Sequence, residues 1–316
     1  MIARILLGAL ALAAAMAGAA EAAAPPLRCA GAFAQGGMVL CKTSPGAMLR
    51  VDGVERGAAD SEGWVVAGFA RDATAQAVFT ARNPETGQEI VKTYRVRPRQ
   101  FSIQRVDGLP AQTVNPTDPA VLEKIARDTE AKTKAVASRA EMDGWLEGFA
   151  WPVETFRISG PWGNQRVLNG EPRPPHFGVD LAAPTGTTIA APASGLVVLA
   201  DPAMHFEGGL IILDHGQGTF TYYLHMSEVA VKVGDVVTQG QRLGAVGATG
   251  RATGPHLCWR MRWRDRQLDP ELAITALANA RRFFKLDQRP PQPTLLSASD
   301  GAPKTIAPAP PAPAPR

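Results

Sequence analysis

The sequence predicts a mainly β protein in two folded parts: a small N-terminal β-sandwich over residues 27–100 and an antiparallel β-sheet domain over 151–275, joined by a connecting helix over 117–150. Three observations carry this. Between Leu27 and Arg99, apolar runs such as Gly63-Trp-Val-Val-Ala-Gly-Phe69 and Gln76-Ala-Val-Phe-Thr80 alternate with turn signals, among them Ser44-Pro-Gly46, Asp52-Gly53 and Asn83-Pro-Glu-Thr-Gly87. That spacing is the pattern of short antiparallel strands. From Pro119 the pattern changes to Val121, Leu122, Ile125, Val136, Met142 and Leu146 set among charged residues and alanines. Thr117 or Asp118 suits a helix cap and Pro119 a first turn, with an interruption near Asp143-Gly144. Beyond Trp151, runs such as Gly195-Leu-Val-Val-Leu-Ala200 and Gly209-Leu-Ile-Ile-Leu-Asp214 return to glycine-bounded strands.

The ends have characters of their own. Met1 to Ala24 carries Arg4, an apolar run from Ile5 to Met16 and a close in small residues. It reads as a secretory signal peptide over residues 1–24, too short and wrongly flanked for a transmembrane anchor, so the mature protein is expected to be exported and soluble, with no anchor after cleavage. After Leu272 a short helical piece with Leu277, Phe283 and Phe284 is expected. Residues 289–316 are rich in proline and alanine and read as an extended, disordered tail.

A chain of 316 residues, 45% hydrophobic and 20% charged, can bury two modest cores. Its formal net charge is only +4 and its basic residues are scattered, which argues against nucleic acid as a partner. Export into an oxidising compartment favours a disulfide between Cys29 and Cys41, worth about 3 kcal/mol on the loop-entropy model. Cys258 is then the odd thiol and requires an explanation.

All five histidines fall between residues 176 and 256. Three lie in short motifs: His176-Phe-Gly-Val-Asp180, Tyr223-Leu-His225 and Gly254-Pro-His256-Leu-Cys258. Such clustering points to one metal or acid–base site built from distant strands. His176 and Asp180 are four apart, but Pro174-Pro175 before and Ala183-Pro184 after them leave no room for a helix. On a straight strand they would stand about 13 Å apart, too far to chelate one ion, so the segment is expected to bend at Gly178. His256 and Cys258, two apart on an alternating strand, share a face. His205 and His215 are read as structural, His215 in a hairpin turn.

These motifs, with Val233-Gly-Asp-Val-Val-Thr-Gln-Gly-Gln-Arg-Leu-Gly244 between the second and third, closely resemble the lysostaphin and LytM type of zinc endopeptidase that cuts peptidoglycan peptides. The resemblance covers about Trp151 to Leu272 and implies a C-terminal peptidase domain of LytM type. It implies Zn²⁺ held by His176, Asp180 and the residue at position 258, with His225 and His256 catalytic. It also implies peptidoglycan as substrate, other cell-envelope proteins as partners, and a periplasmic location. The third ligand position departs from the family's histidine: it is Cys258, itself a legitimate zinc ligand. With His, Asp⁻ and Cys⁻ the metal's charge would be cancelled, which makes bound water less acidic. Two readings therefore stand: an exported zinc endopeptidase, and a degenerate relative that binds wall or regulates another hydrolase. A lipoyl-carrier hairpin is set aside, because the only nearby lysine, Lys232, precedes the turn.

Overall fold

The computed structural model describes residues 26–109 and 111–286; the expected signal peptide and proline-rich tail lie outside them. It is a mainly β fold with largely antiparallel sheets. Near the N-terminus the strands Arg28–Gly31, Met38–Lys42 and Trp64–Gly68 form one sheet, and Met48–Val51, Val54–Ala58, Gln76–Arg82 and Glu89–Arg95 form another. The two bury Leu40, Val66, Leu49 and Phe79 in a common cluster, as a small sandwich does. Cys29 and Cys41 face each other across the first strand pair and are disulfide-bonded.

The larger part is built on an eight-stranded sheet. Its order is Val236–Val237, Gly195–Met204, Gly208–Asp214, Thr219–Met226, His256–Trp263, Gly178–Ala182 and Arg157–Gly160, with Arg266–Leu268 added beside His256–Trp263. The pairings are antiparallel throughout this sheet. Each strand therefore presents alternate residues to opposite faces. One face, with Val179, Leu181, Tyr223, Leu257 and Trp259, packs on the small sheet that includes Arg242–Ala245. The other, with Leu210, Ile212, Leu224 and Cys258, packs against the helix Pro119–Ala135 through Ala131 and Ala135. Among the described residues the strands Ile103–Val106 and Gln165–Leu168 pair in parallel, and an isolated parallel bridge joins Ala34 to Arg97.

The connecting helix is shorter than expected. It runs from Pro119 to Ala135, capped by the Asp118 side chain, and ends at Val136 rather than near Asp143. From there the backbone must turn to let Ala140 donate to Asp214 Oδ2 (3.1 Å) and to bring fully buried Trp145 into the core. A single turn, Gly144–Glu147, follows. Gly144 is required there because a Cβ would fall 1.8 Å from the Ser194 carbonyl oxygen.

The last helix, Pro270–Phe284, starts earlier than the sequence suggested: Asp269 accepts from the amides of Glu271 and Leu272, and Pro270 fills the first turn. Asp269 is also paired with Arg99 at 2.8 Å. Ala273, Leu277 and Ala280 of this helix share the hydrophobic cluster of the N-terminal strands, with Trp263 and Leu268. The two parts are thus packed through a joint core.

Candidate metal centre

The strand Gly178–Ala182 lies between Arg157–Gly160 and His256–Trp263, in a register that sets Asp180 opposite Cys258 and Ala182 opposite His256. Asp180, His256 and Cys258 consequently share one face. His176 lies just before the strand, where its amide donates to Asn164 O and its carbonyl accepts from Gly163 N. Turned back in this way, His176 Nε2 reaches Asp180 Oδ1 at 3.1 Å and Cys258 Sγ at 3.4 Å. The three donor atoms lie within 4.8 Å of one another, and all three residues are buried. Gly178 makes this closure possible, because a Cβ there would sit 2.7 Å from Cys258 Sγ.

Several polar atoms at the cluster suit a cation. Asp180 Oδ2 accepts from Arg166 (3.1 Å), whereas Asp180 Oδ1 is buried with no hydrogen-bond partner; His176 Nδ1 is likewise unpartnered. Burial works to raise the Asp180 carboxyl, but the 3.1 Å polar contact with His176 and the charges of Arg166 and His256 outweigh it and hold it below the ordinary carboxylate range. Burial lowers His176, which leaves the imidazole neutral, the form that binds metal. Burial, helped by Asp180, pushes the Cys258 thiol up to about 12, with Arg260 and Arg166 pulling the other way. His176, Asp180 and Cys258 are thus an imidazole, a carboxylate and a thiol of the kinds zinc takes, and the residues fit the ion.

The two further histidines are brought alongside. The His225 and His256 rings are 4.8 Å apart, centroid to centroid, and His256 Nε2 is 3.7 Å from Asp180 Oδ1. Each donates through Nδ1 to a backbone carbonyl at 2.8 Å, His225 to Thr249 and His256 to Gly254. Those bonds fix the tautomer and leave both Nε2 atoms as acceptors. Burial, and next His256, lower His225 to about 3. His225 also has φ +66°, a left-handed conformation that costs a non-glycine residue on the order of 1 kcal/mol. The surroundings enforce it: His225 N donates to Glu207 O, and Gly247 approaches so closely that a Cβ would fall 2.7 Å from His225 O.

His205 and His215 are not brought to the cluster. His215 is fully buried; its Nδ1 donates to Ser194 O (2.8 Å), and its Nε2 accepts from Thr221 Oγ1, which in turn accepts from Tyr223 OH (2.7 Å each). His205 donates its backbone amide to Asp128 and meets the Phe206 ring edge to face. Arg166 and Thr249, which orient Asp180 and His225, were not singled out from the sequence. Arg166 reaches the site from a strand outside the large sheet, a pairing without a local signature. The strain at His225 has none either.

A buried, sheet-borne cluster of His, Asp and Cys beside two histidines offers the donor types of a metal site. Comparison with known proteins agrees: residues 174–270 match the model of peptidase family M23, and the chain carries a domain of that family. Peptidoglycan DD-endopeptidase ShyA of Vibrio cholerae is 36% identical over 132 residues, covering 41% of this chain and 30% of the relative. DD-carboxypeptidase/endopeptidase Mpg of Neisseria meningitidis is 31% identical over 158 residues, covering 49% of this chain and 36% of the relative. The chain thus spans about a third of the length of these curated relatives. A crystal structure of an M23 peptidase from Pseudomonas aeruginosa aligns with a TM-score of 0.58 at 27% identity, covering 77% of this chain and 95% of that one.

Proposed function

We propose that this protein is an exported zinc metalloendopeptidase that hydrolyses peptide bonds of peptidoglycan, working in the periplasm. The observation that supports it most is the convergence of His176, Asp180 and Cys258 within 4.8 Å, next to two histidines whose Nε2 atoms are left free. The endopeptidase names of the relatives and the family match of residues 174–270 support the substrate class.

In this reading His176, Asp180 and Cys258 would hold the ion, and bound Zn²⁺ would supply Lewis-acid polarisation of the peptide carbonyl and a more acidic water. His225, neutral and with Nδ1 committed to Thr249 O, takes the water's proton on Nε2. His256 presents Nε2 on the same side and stabilises the oxyanion as the carbonyl is attacked. Arg166 holds Asp180 by its second oxygen, so that Oδ1 keeps its aim. The N-terminal strands, the connecting helix and the sheet part act as one packed body around this site, and the first 24 residues act as the export signal.

One observation favours a second reading, a non-hydrolytic domain that binds wall or regulates another hydrolase: the third ligand is a thiol that burial holds neutral. Zinc stoichiometry and muropeptide cleavage, measured side by side for the protein, Cys258→His and Cys258→Ser, decide between them. One zinc with cleavage that is lost in Cys258→Ser supports the working peptidase. Neither zinc nor cleavage in the protein itself, with cleavage gained in Cys258→His, refutes it in favour of the second reading.

A further inference from the structure

The strand His256–Trp263 sets Arg260 two residues beyond Cys258 on the same face, and Gly178 of the neighbouring strand lies opposite Arg260 in register. A Cβ at Gly178 would fall 2.7 Å from Cys258 Sγ and 2.9 Å from Arg260 Cγ. The sulfur and the arginine stem thus share the space that a side chain at 178 would fill, and the Arg260 guanidinium donates a hydrogen bond to that sulfur. Arg262, two residues further along the same face, is engaged elsewhere, with Tyr222 and the Arg264 carbonyl.

A guanidinium is not deprotonated in proteins, so Arg260 places a permanent positive charge beside the cluster. Glu207 and Asp180 face it with opposite charge, Glu207 being itself ion-paired with Lys132. Beside a neutral donor such a fixed cation would repel a dication and weaken its binding. Beside a thiolate it does the reverse, because a charge-assisted hydrogen bond holds the sulfur as the anion that binds metal. The same pairing recurs at the carboxylate, where Arg166 holds Asp180 Oδ2 at 3.1 Å. Each donor that can carry negative charge therefore has an arginine of its own.

Resting on the zinc-peptidase reading above, we propose that Arg260 is a positioning residue for the metal: it holds Cys258 Sγ in place as a thiolate ligand and returns to the centre the positive charge that a thiolate removes. The thiol proton passes to solvent as the sulfur takes the cation. The guanidinium then balances the sulfur's charge within an apolar cluster where a bare anion is costly. Arg260 acts through the ligand, as the outer partners of metal sites do.

The test uses the mature chain and compares Arg260→Met and Arg260→Lys with the control Arg262→Met, each checked for folding by far-ultraviolet circular dichroism; Arg260→Gln carries the same comparison should Arg260→Met not fold. Zinc affinity is read by chelator competition, and the cobalt-substituted forms report the sulfur-to-metal charge-transfer band. Arg260→Met is expected to weaken zinc on the order of 10–100-fold. It should also move the band to lower energy, because a sulfur without its hydrogen bond gives up an electron more readily. Arg260→Lys should recover part of the affinity, and Arg262→Met should match the parent. In a Cys258→His background the sign changes: with a neutral third donor, adding Arg260→Met should leave zinc affinity unchanged or raise it. Parental zinc affinity or an unmoved band in the folded Arg260→Met variant, a loss of the same size in the Cys258→His background, or a parent without a sulfur-to-cobalt band would each overturn the inference. Muropeptide cleavage is assayed separately. Cleavage with an affinity indifferent to Arg260 defeats the inference and leaves the peptidase reading standing; the expected metal behaviour without cleavage supports the inference and defeats the peptidase.

Discussion

Replacing Gly178 with alanine tests whether the metal cluster depends on a missing side chain. An ideal Cβ there lies 2.7 Å from Cys258 Sγ, 2.9 Å from Arg260 Cγ and 3.2 Å from the Trp259 carbonyl oxygen. Non-bonded heavy atoms settle near ~3.5–4.0 Å, so the sulfur must retreat by about 1 Å. Cys258 is 1% exposed and packed with Leu210, Ile212 and Leu224, which leaves little room to do so. Overpacking of this kind costs about 1–3 kcal/mol. Ligand distances tolerate about 0.2 Å, so zinc affinity is expected to fall on the order of 10–100-fold. Chelator competition measures the affinity, and guanidinium unfolding of the metal-free protein measures the stability. Val179→Ala is the matched control: it lies in the opposite cluster, fully buried, and should lose stability while keeping its zinc. If Gly178→Ala binds zinc as tightly as the parent, or weakens it no more than Val179→Ala does, the steric account of the closure is wrong.

Three further outcomes are expected. Burial lowers His215 from 6.5 to about 4; as a histidine depressed in the folded state, it contributes stability above the unfolded pKa that is lost as pH falls from 6.5 towards 4. That amounts to about 3 kcal/mol, and a denaturation series over this range should slope less in His215→Asn. Arg166→Gln removes the 3.1 Å bond that aims Asp180 and should cost about tenfold in zinc affinity with little change in melting temperature, read by the same competition assay. Cys258, buried and with its thiol pushed up to about 12, should resist a thiol reagent at pH 7.5 in the folded metal-free protein and react fully in denaturant; rapid modification of the folded form would contradict the burial.

The fold class and the cluster were legible in the sequence for different reasons. Strand patterning and turn residues are local, and so are the prolines at 174, 175 and 184 that keep His176-x-x-x-Asp180 off any helix; the bend expected at Gly178 is instead a reversal at His176, ahead of the strand that Gly178 opens. The end of the connecting helix was not legible, because it is set by a distant partner: the chain leaves the helix to meet Asp214 and bury Trp145, and the sequence beyond Val136 is no worse a helix former than the sequence before it. The start of the last helix was legible in principle, since Asp269-Pro270 is a cap and first turn, but the preceding strand residues masked it. Arg166 and the left-handed His225 depend on pairing between remote segments, which leaves no mark at either position.

Cys258 belongs to two environments at once, and this limits what it can be. It is one of the residues of the apolar cluster beneath the connecting helix, and it is also one of three donor atoms within 4.8 Å. In the first role burial keeps the thiol protonated and inert. In the second a divalent cation must displace the proton, since a bare thiolate in that apolar setting has only Arg260 and Arg166 to oppose the cost of desolvation. The reactive form common to redox and nucleophilic cysteines needs exposure and a depressed pKa, and Cys258 has neither. The side chain therefore acts either as core or as ligand. The short His176 and Asp180 distances, with an unpartnered carboxylate oxygen beside them, weigh for the ligand, because an apolar core alone supplies no reason to bury Asp180 with Oδ1 unsatisfied.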